Sequence, residues 1–191
     1  MKIKTTELQK LFEALEEKKL SITDAITWAE DLTLPIKKDN QMEKKPKPTI
    51  VLTVNYSQNV EKMIANGNYN WQNSDITEKH FPLPAELIGK KVEISTKLYH
   101  CSKNISSKNA IAEMDKDGYR PATLAELLVL GETKPELQRQ APIIALGSVW
   151  RKANDNRNVP YLDGNDGKRK LYLSWLDIDW NAYCRFLAVR K

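Results

Sequence analysis

Several features that would point to a particular class of protein are absent from this 191-residue sequence. No apolar run approaches the ~20 residues that a membrane-spanning helix needs. The N-terminal Met1-Lys2-Ile3-Lys4 lacks the apolar stretch of a secretory signal. We therefore expect no membrane span and a cytoplasmic location, with export or display on a phage particle as the alternative. Cys101 and Cys184 belong to no CxxC pair, so two reduced thiols are expected, and one long-range disulfide remains the alternative.

Motifs for enzymatic chemistry are scarce as well. The sequence has no phosphate loop and no GxGxxG, HExxH or GxSxG motif. His80 and His100 are its only histidines, and no third ligand at a suitable spacing marks a metal site. Cys101 follows His100 directly, but neighbouring residues of a strand point to opposite faces, which argues against a nucleophile pair. No catalytic residue, metal or other cofactor is therefore expected.

The charge balance gives little support for a nucleic-acid partner. Thirty basic residues stand against 25 acidic ones, for a net charge of +5. A nucleic-acid-binding protein gathers its basic residues on one face, whereas here they are interleaved with acidic ones. A hydrophobic fraction of 41% and a charged fraction of 29% are ordinary for a soluble globular protein. We expect no nucleic-acid ligand and one domain with an extension.

The apolar pattern divides the chain into three parts. Helical spacing recurs twice in residues 1–35, which predicts a helical hairpin. Its two apolar stripes are Leu8, Leu11, Phe12 and Leu15, and Ile22, Ala25, Ile26 and Ala29. Residues 36–48 hold five lysines and two prolines, which is typical of a solvated linker. The hairpin either docks on the main domain, residues 49–191, or forms a homo-oligomerisation or partner-binding module.

The main domain is predicted to be α+β with short antiparallel strands and two or more helices. Its predicted strands begin at Ile50, run from Val92 towards Tyr99, span 142–150 and 171–175, and end with 185–189. Predicted helices begin at Ser57, at Ser106-Ser107 and at Thr123, where Glu126 completes a capping box. Residues 163–167 are predicted to form a turn.

The C-terminal segment has the composition of an adaptable binding surface. Aromatic residues there alternate with short polar ones: Tyr161, Tyr172, Trp175, Trp180 and Tyr183 with Asn154, Asn156, Asn158, Asn165, Ser174 and Asn181. Along 171–175, period-2 alternation predicts an inward set of Leu171, Leu173 and Trp175, and an outward set of Tyr172 and Ser174. Trp150, Trp175 and Trp180 are expected in the core.

Two segments resemble a known family. Residues 118–127, Gly-Tyr-Arg-Pro-Ala-Thr-Leu-Ala-Glu-Leu, resemble the GYRLPTEAEWE helix start of the formylglycine-generating-enzyme (sulfatase-modifying-factor) branch of the C-type lectin fold. Residues 180–191 are similar to the closing strand of that branch. More specifically, residues 142–191 resemble the C-terminus of variable proteins of diversity-generating retroelements. In that family a reverse transcriptase copies a template repeat with errors at adenines and rewrites the 3′ end of the target gene.

The resemblance implies a C-type lectin-like domain over 49–191 whose surface at about 154–184 is mutable and binds a ligand. Templates of the family are rich in AAC codons, so positions reachable from AAC by changing its adenines are candidates for binding. These are Tyr161, Asp163, Asn165, Tyr172, Ser174, Ile178, Asn181, Ala182 and Tyr183. The implied scaffold positions are Pro160, Leu162, Leu171, Leu173, Trp175, Trp180, Arg185 and Phe186. The expected ligand is a macromolecule, and a protein before other classes.

Two other functions stay open. The catalytic branch of this fold uses a pair of cysteines that bind copper, and Cys101 and Cys184 do not sit in that pattern, so we expect a protein that is not an enzyme. An oxidase of the formylglycine-generating type would need these two cysteines side by side at a pocket. The remaining alternative is an intracellular adaptor that acts through the N-terminal helices.

Overall fold

A computed structural model describes residues 49–165 and 167–191, so the predicted hairpin and linker lie outside the described residues. The strands are β1 (Ile50–Asn55), β2 (Trp71–Gln72), β3 (Lys91–His100), β4 (Ile105–Ser106), β5 (Tyr119–Pro121), β6 (Ile143–Ile144), β7 (Trp150–Arg151), β8 (Arg157–Asn165), β9 (Lys168–Trp175), β10 (Asp179–Trp180) and β11 (Arg185–Arg190). The helices are α1 (Val60–Gly67), α2 (Ser107–Lys116), α3 (Leu124–Thr133) and α4 (Leu137–Gln140), with a 3-10 turn at Ala85–Leu87. Within these residues the fold is α+β, as predicted.

Nine of the strands form one mixed sheet. Its main order is β1-β3-β11-β6-β8-β9-β2, with β5 paired to β11 and β7 paired to β8. The closing strand β11 therefore lies inside the sheet, where it pairs with β3 on one side and with β5 and β6 on the other. Most pairs are antiparallel, as expected, but β6 with β11 and β2 with β9 are parallel. The strands β4 and β10 form a separate two-stranded sheet.

The sheet separates two apolar clusters. Helix α3 is buried from Leu124 to Gly131, and all of these residues except Glu126 are uncharged, so it forms the centre of the main core, together with α1. Neighbouring strand residues alternate between the clusters: Ile143 belongs to the main core, whereas Ile144 belongs to a second cluster that includes Met114 of α2. This alternation is the period-2 geometry of a strand, and it gives the sheet a covered patch on each face.

The helix caps are mostly those predicted. Glu126 completes the capping box with Thr123, and the Arg120 guanidinium pairs with the Glu126 carboxylate at an N–O distance of 2.6 Å. Ser106 caps α2 as expected. The cap predicted at Ser57 is wrong, because Asn59 accepts a hydrogen bond from the Lys62 amide at 2.9 Å and α1 begins directly after it.

One strand prediction and one turn prediction need correction. The strand expected over 142–150 is interrupted: it forms at Ile143–Ile144, and Trp150 begins the separate strand β7, because the chain between them passes over the β5–α3 corner. There a Cβ on Gly147 would lie 2.6 Å from the Ala122 carbonyl oxygen. The turn expected over 163–167 is shorter, since β8 continues to Asn165.

The tryptophans do not all lie in the core as predicted. Trp180 is 5% exposed and Trp150 is half-buried, but Trp175 is 61% exposed. Burial decreases along this face of β9, from the fully buried Leu171 through the half-buried Leu173 to Trp175 at the strand's end. The alternation therefore predicts correctly that Leu171, Leu173 and Trp175 share a face. Packing of other apolar residues onto this face ends before Trp175.

Candidate binding surface

The β8–β9 hairpin brings five of the nine predicted binding residues onto one face. In its antiparallel register Tyr161 lies opposite Tyr172, and Asp163 lies opposite Lys170. Alternate residues of a strand share a face. We define the tyrosine face as the side of the hairpin that carries Tyr161, Asp163, Asn165, Lys168, Lys170, Tyr172 and Ser174. The opposite side of the hairpin packs on the main core through Leu162 and Leu171.

A row of three aromatic rings crosses the tyrosine face. The Tyr161 and Tyr172 rings stack with centroids 5.4 Å apart, and the Trp71 ring lies 4.7 Å from that of Tyr172. Strand β2 adds to the sheet parallel to β9 and places Trp71 opposite Lys170, hence on the same face. Trp71 is 45% exposed. The sequence analysis missed it, because a two-residue strand that pairs with a segment about a hundred residues later leaves no local pattern.

Tyr161 is held in its neutral form. Burial, together with smaller contributions from the nearby Asp163, Tyr172, Tyr183 and Cys184, raises the pKa of Tyr161 to about 12. At neutral pH its phenol therefore keeps both a donor and an acceptor for a ligand. The same proximity places Tyr183, which is 59% exposed, beside the tyrosine face.

Three of the predicted residues are placed differently. Ile178 is half-buried and packs against the second cluster. The Asn181 carbonyl accepts a hydrogen bond from the Cys184 amide at 3.0 Å, and the Ala182 carbonyl oxygen lies 2.9 Å from Nε2 of His100. No described contact joins these three side chains to the tyrosine face, although they follow the hairpin in the chain.

Ile178 instead lines a separate cleft of about 680 Å³ between α2 and the segment after β9. The cleft also includes Ser107, Arg157 and Asp177. Three of its polar side chains are engaged: Arg157 pairs with Asp177, and Ser107 accepts from Trp180 Nε1 at 2.8 Å and donates to the Leu176 carbonyl at 2.6 Å.

A buried polar network fixes the hairpin from beneath. Gln138 of α4 donates to the Asp163 carbonyl at 2.6 Å and accepts from Arg169 Nε at 3.1 Å. Arg169, only 8% exposed, also donates to the carbonyls of Gly67 at 2.6 Å and of Gly131. Since these acceptors are uncharged, burial lowers the pKa of Arg169. The network ties β8 and β9 to α1, α3 and α4, so the tyrosine face rests on a fixed base.

Cys101 and Cys184 lie at the same end of two neighbouring strands. The β3–β11 ladder ends with His100 opposite Arg185, and the two cysteines are the next residues beyond that pair. Both pack against the second cluster, and no disulfide joins them. Burial raises the pKa of Cys184, which keeps this thiol protonated at neutral pH.

Other kinds of site find little support. Among the described residues, no group of three or more His, Cys, Asp or Glu side chains could hold a metal ion. In the same part of the chain, every helix is too short or too polar to span a bilayer. No family model, curated protein or solved structure matches this chain.

Proposed function

We propose that this chain is a non-enzymatic binding protein whose tyrosine face takes up a protein ligand. The observation that carries the proposal is the hairpin register, which collects five predicted binding residues, with Trp71, on one open face above a buried base. Tyrosine and tryptophan supply large contact areas at a low cost in side-chain entropy, and asparagine and serine supply adaptable hydrogen bonds. Anchors of this kind dominate the binding energy of protein–protein interfaces.

The same register supports the proposal that the domain is a C-type lectin-like variable domain of the retroelement family. Positions reachable from AAC codons, such as Tyr161 and Tyr172, lie on the tyrosine face, while scaffold positions such as Leu162, Leu171 and Phe186 are buried. Surface substitutions mostly change the stability by less than ~0.5 kcal/mol, whereas truncating a buried side chain costs several. A face of this kind tolerates repeated change without loss of the fold.

Binding is tested with a phage-displayed library of random 12-residue peptides, selected against the full chain. We expect the selected peptides to lose at least about tenfold in affinity for the double variant Tyr161→Ala/Tyr183→Ala, because two anchors are removed. Trp175→Ala is the matched control, since Trp175 is an exposed aromatic residue on the opposite side of the hairpin. The proposal would be contradicted if the selected peptides bound the double variant with unchanged affinity, or if Trp175→Ala reduced their affinity by the same factor.

One observation keeps an oxidase of the formylglycine-generating type as the second candidate. Cys101 and Cys184 follow the same end of the β3–β11 ladder and contact one cluster, which is the proximity that a copper-binding pair would need. The test is titration of the reduced full chain with Cu(I), with Cys184→Ser as the control. We expect no stoichiometric binding. One equivalent bound by the full chain and lost in the variant would favour the oxidase.

A further inference from the structure

One end of the tyrosine face forms a distinct cleft. It lies between β2 and β9, has a volume of about 330 Å³ and is lined by Asn70, Trp71, Lys168, Lys170 and Tyr172. The Trp71 and Tyr172 rings form an apolar wall, with centroids 4.7 Å apart. Of the lining residues only Tyr172 is among the nine predicted binding positions. The cleft would therefore keep its chemistry if the other eight positions changed.

The polar groups of this cleft are hydrogen-bond donors that lack an acidic partner. Within the described part of the chain, neither Lys168 nor Lys170 forms an ion pair. The backbone amide and Oδ1 of Asn70 are both bonded to the backbone of Arg169, at 2.8 and 2.7 Å. Its Nδ2 group is then left to donate. None of the five lining residues carries a carboxylate.

This combination selects for a negatively charged group on an apolar stem. Two ammonium groups and an amide can surround one carboxylate with charge-assisted hydrogen bonds, while the two rings cover the methylene groups beside it. A nucleic-acid backbone needs a stripe of basic residues, whereas Asp163 lies directly opposite Lys170 on this face. An acidic protein side chain presents a single negative group to the two lysines, whereas a nucleic-acid backbone presents a row of them.

We propose that Asn70, Trp71, Lys168, Lys170 and Tyr172 form a subsite for a glutamate or aspartate side chain of the protein ligand. This inference rests on the proposed function and deepens it by naming the charge of the partner. Asn70, Trp71, Lys168 and Lys170 lie outside the nine predicted binding positions and form the constant part of this anchor. Tyr172 and the other predicted positions determine which acidic partner is accepted.

The direct test is an NMR titration of the ¹⁵N-labelled full chain with the peptide acetyl-Leu-Glu-Glu-Leu-amide. Trp71→Phe assigns the Trp71 indole N–H signal. We expect a saturable shift of that signal, and at least about tenfold weaker binding of the isosteric acetyl-Leu-Gln-Gln-Leu-amide, because charged hydrogen bonds contribute ~1.5–3 kcal/mol. Equal binding of the two peptides would overturn the proposal. Inorganic phosphate and oligothymidylate are run in parallel, and tighter binding of either at the same signal would also overturn it.

The lysines are tested by the double variant Lys168→Gln/Lys170→Gln. It should weaken binding of the glutamate peptide at least about tenfold, while the matched control Lys62→Gln/Lys90→Gln, at exposed lysines outside the cleft, should not change it. Unchanged binding in the first variant would refute the subsite. The two proposals fail separately. If library-selected peptides need Tyr161 and Tyr183 but not the cleft lysines, the binding function stands and only the subsite is wrong.

Discussion

The two sides of the β8–β9 hairpin are built from alternate residues of the same strands, yet they differ in almost every property. One side is sealed: Leu162 and Leu171 are fully buried in the main core, and Arg169 is bonded to three elements behind it. The other side is open and carries the stacked Tyr161 and Tyr172 rings. Strand geometry thus places the residues that stabilise the fold and the proposed binding residues on opposite sides of one hairpin.

The largest expected effect separates two tryptophans that lie five residues apart. Trp180→Ala should lower the free energy of unfolding by ~3–5 kcal/mol, because its ring packs edge-on against Phe186 at 6.1 Å and its Nε1 donates to Ser107. Trp175→Ala should cost less than ~1 kcal/mol, since its ring is 61% exposed. Urea denaturation measures both values. Equal costs would contradict the exposure of Trp175 and the burial of Trp180.

Gly164→Ala tests how closely α4 seals the hairpin. A Cβ at this position would lie 2.9 Å from the Arg139 Cα and from the Gln138 carbonyl oxygen, and backbone atoms cannot move aside easily. We expect a loss of ~1–3 kcal/mol in the free energy of unfolding. Asn165→Ala, at the exposed neighbouring residue of the tyrosine face, is the control and should change it by less than ~0.5 kcal/mol. A neutral Gly164→Ala would mean that α4 does not seal the hairpin.

Alanine substitutions on the open side sharpen the comparison. Tyr183→Ala should change the free energy of unfolding by less than ~0.5 kcal/mol, because the side chain is 59% exposed. Tyr161→Ala and Tyr172→Ala should each cost ~1 kcal/mol, because these half-buried rings stack on each other. Thermal unfolding of the three variants gives the order. A cost of several kcal/mol for any of them would place that tyrosine in the core.

The last expected effect concerns pH. The folded state holds the pKa of Tyr161 at about 12, whereas an unfolded tyrosine titrates near 10. Between these values the unfolded chain has lost the proton and the folded chain keeps it, so this residue makes stability fall as the pH rises. Tyr161→Phe should reduce that fall between pH 10 and 12. Urea denaturation across this window measures how the free energy of unfolding changes with pH. The same slope in the variant and in the unsubstituted chain would contradict the raised pKa of Tyr161.

Features that depend on neighbours in the chain could be predicted from the sequence. The capping box of Thr123 and Glu126, the Ser106 cap and the alternation of Leu171 with Tyr172 are local patterns, and all three are present. Together with the hairpin register, the alternation places Tyr161 and Tyr172 on a common face.

The features that the sequence did not reveal depend on distant pairing. Trp71 joins the tyrosine face through a parallel pairing with β9 that no local pattern announces. Arg169 would be expected in solvent on composition alone, yet Gln138 and two backbone carbonyls hold it inside. The exposure of Trp175 depends on where the apolar cover ends, and a period-2 pattern does not encode that position.

The central claim is that the tyrosine face is the part of this protein that changes and binds. The most direct test is to sequence the DNA beside the 3′ end of the coding region. We predict a near-copy of the codons for about 150–191, next to a reverse-transcriptase gene and differing at adenines of the copy. The differing codons should include those of Tyr161 and Tyr172 but not those of Leu162 and Leu171. The absence of such a repeat, or differences that fall on the two buried leucines, would contradict the account.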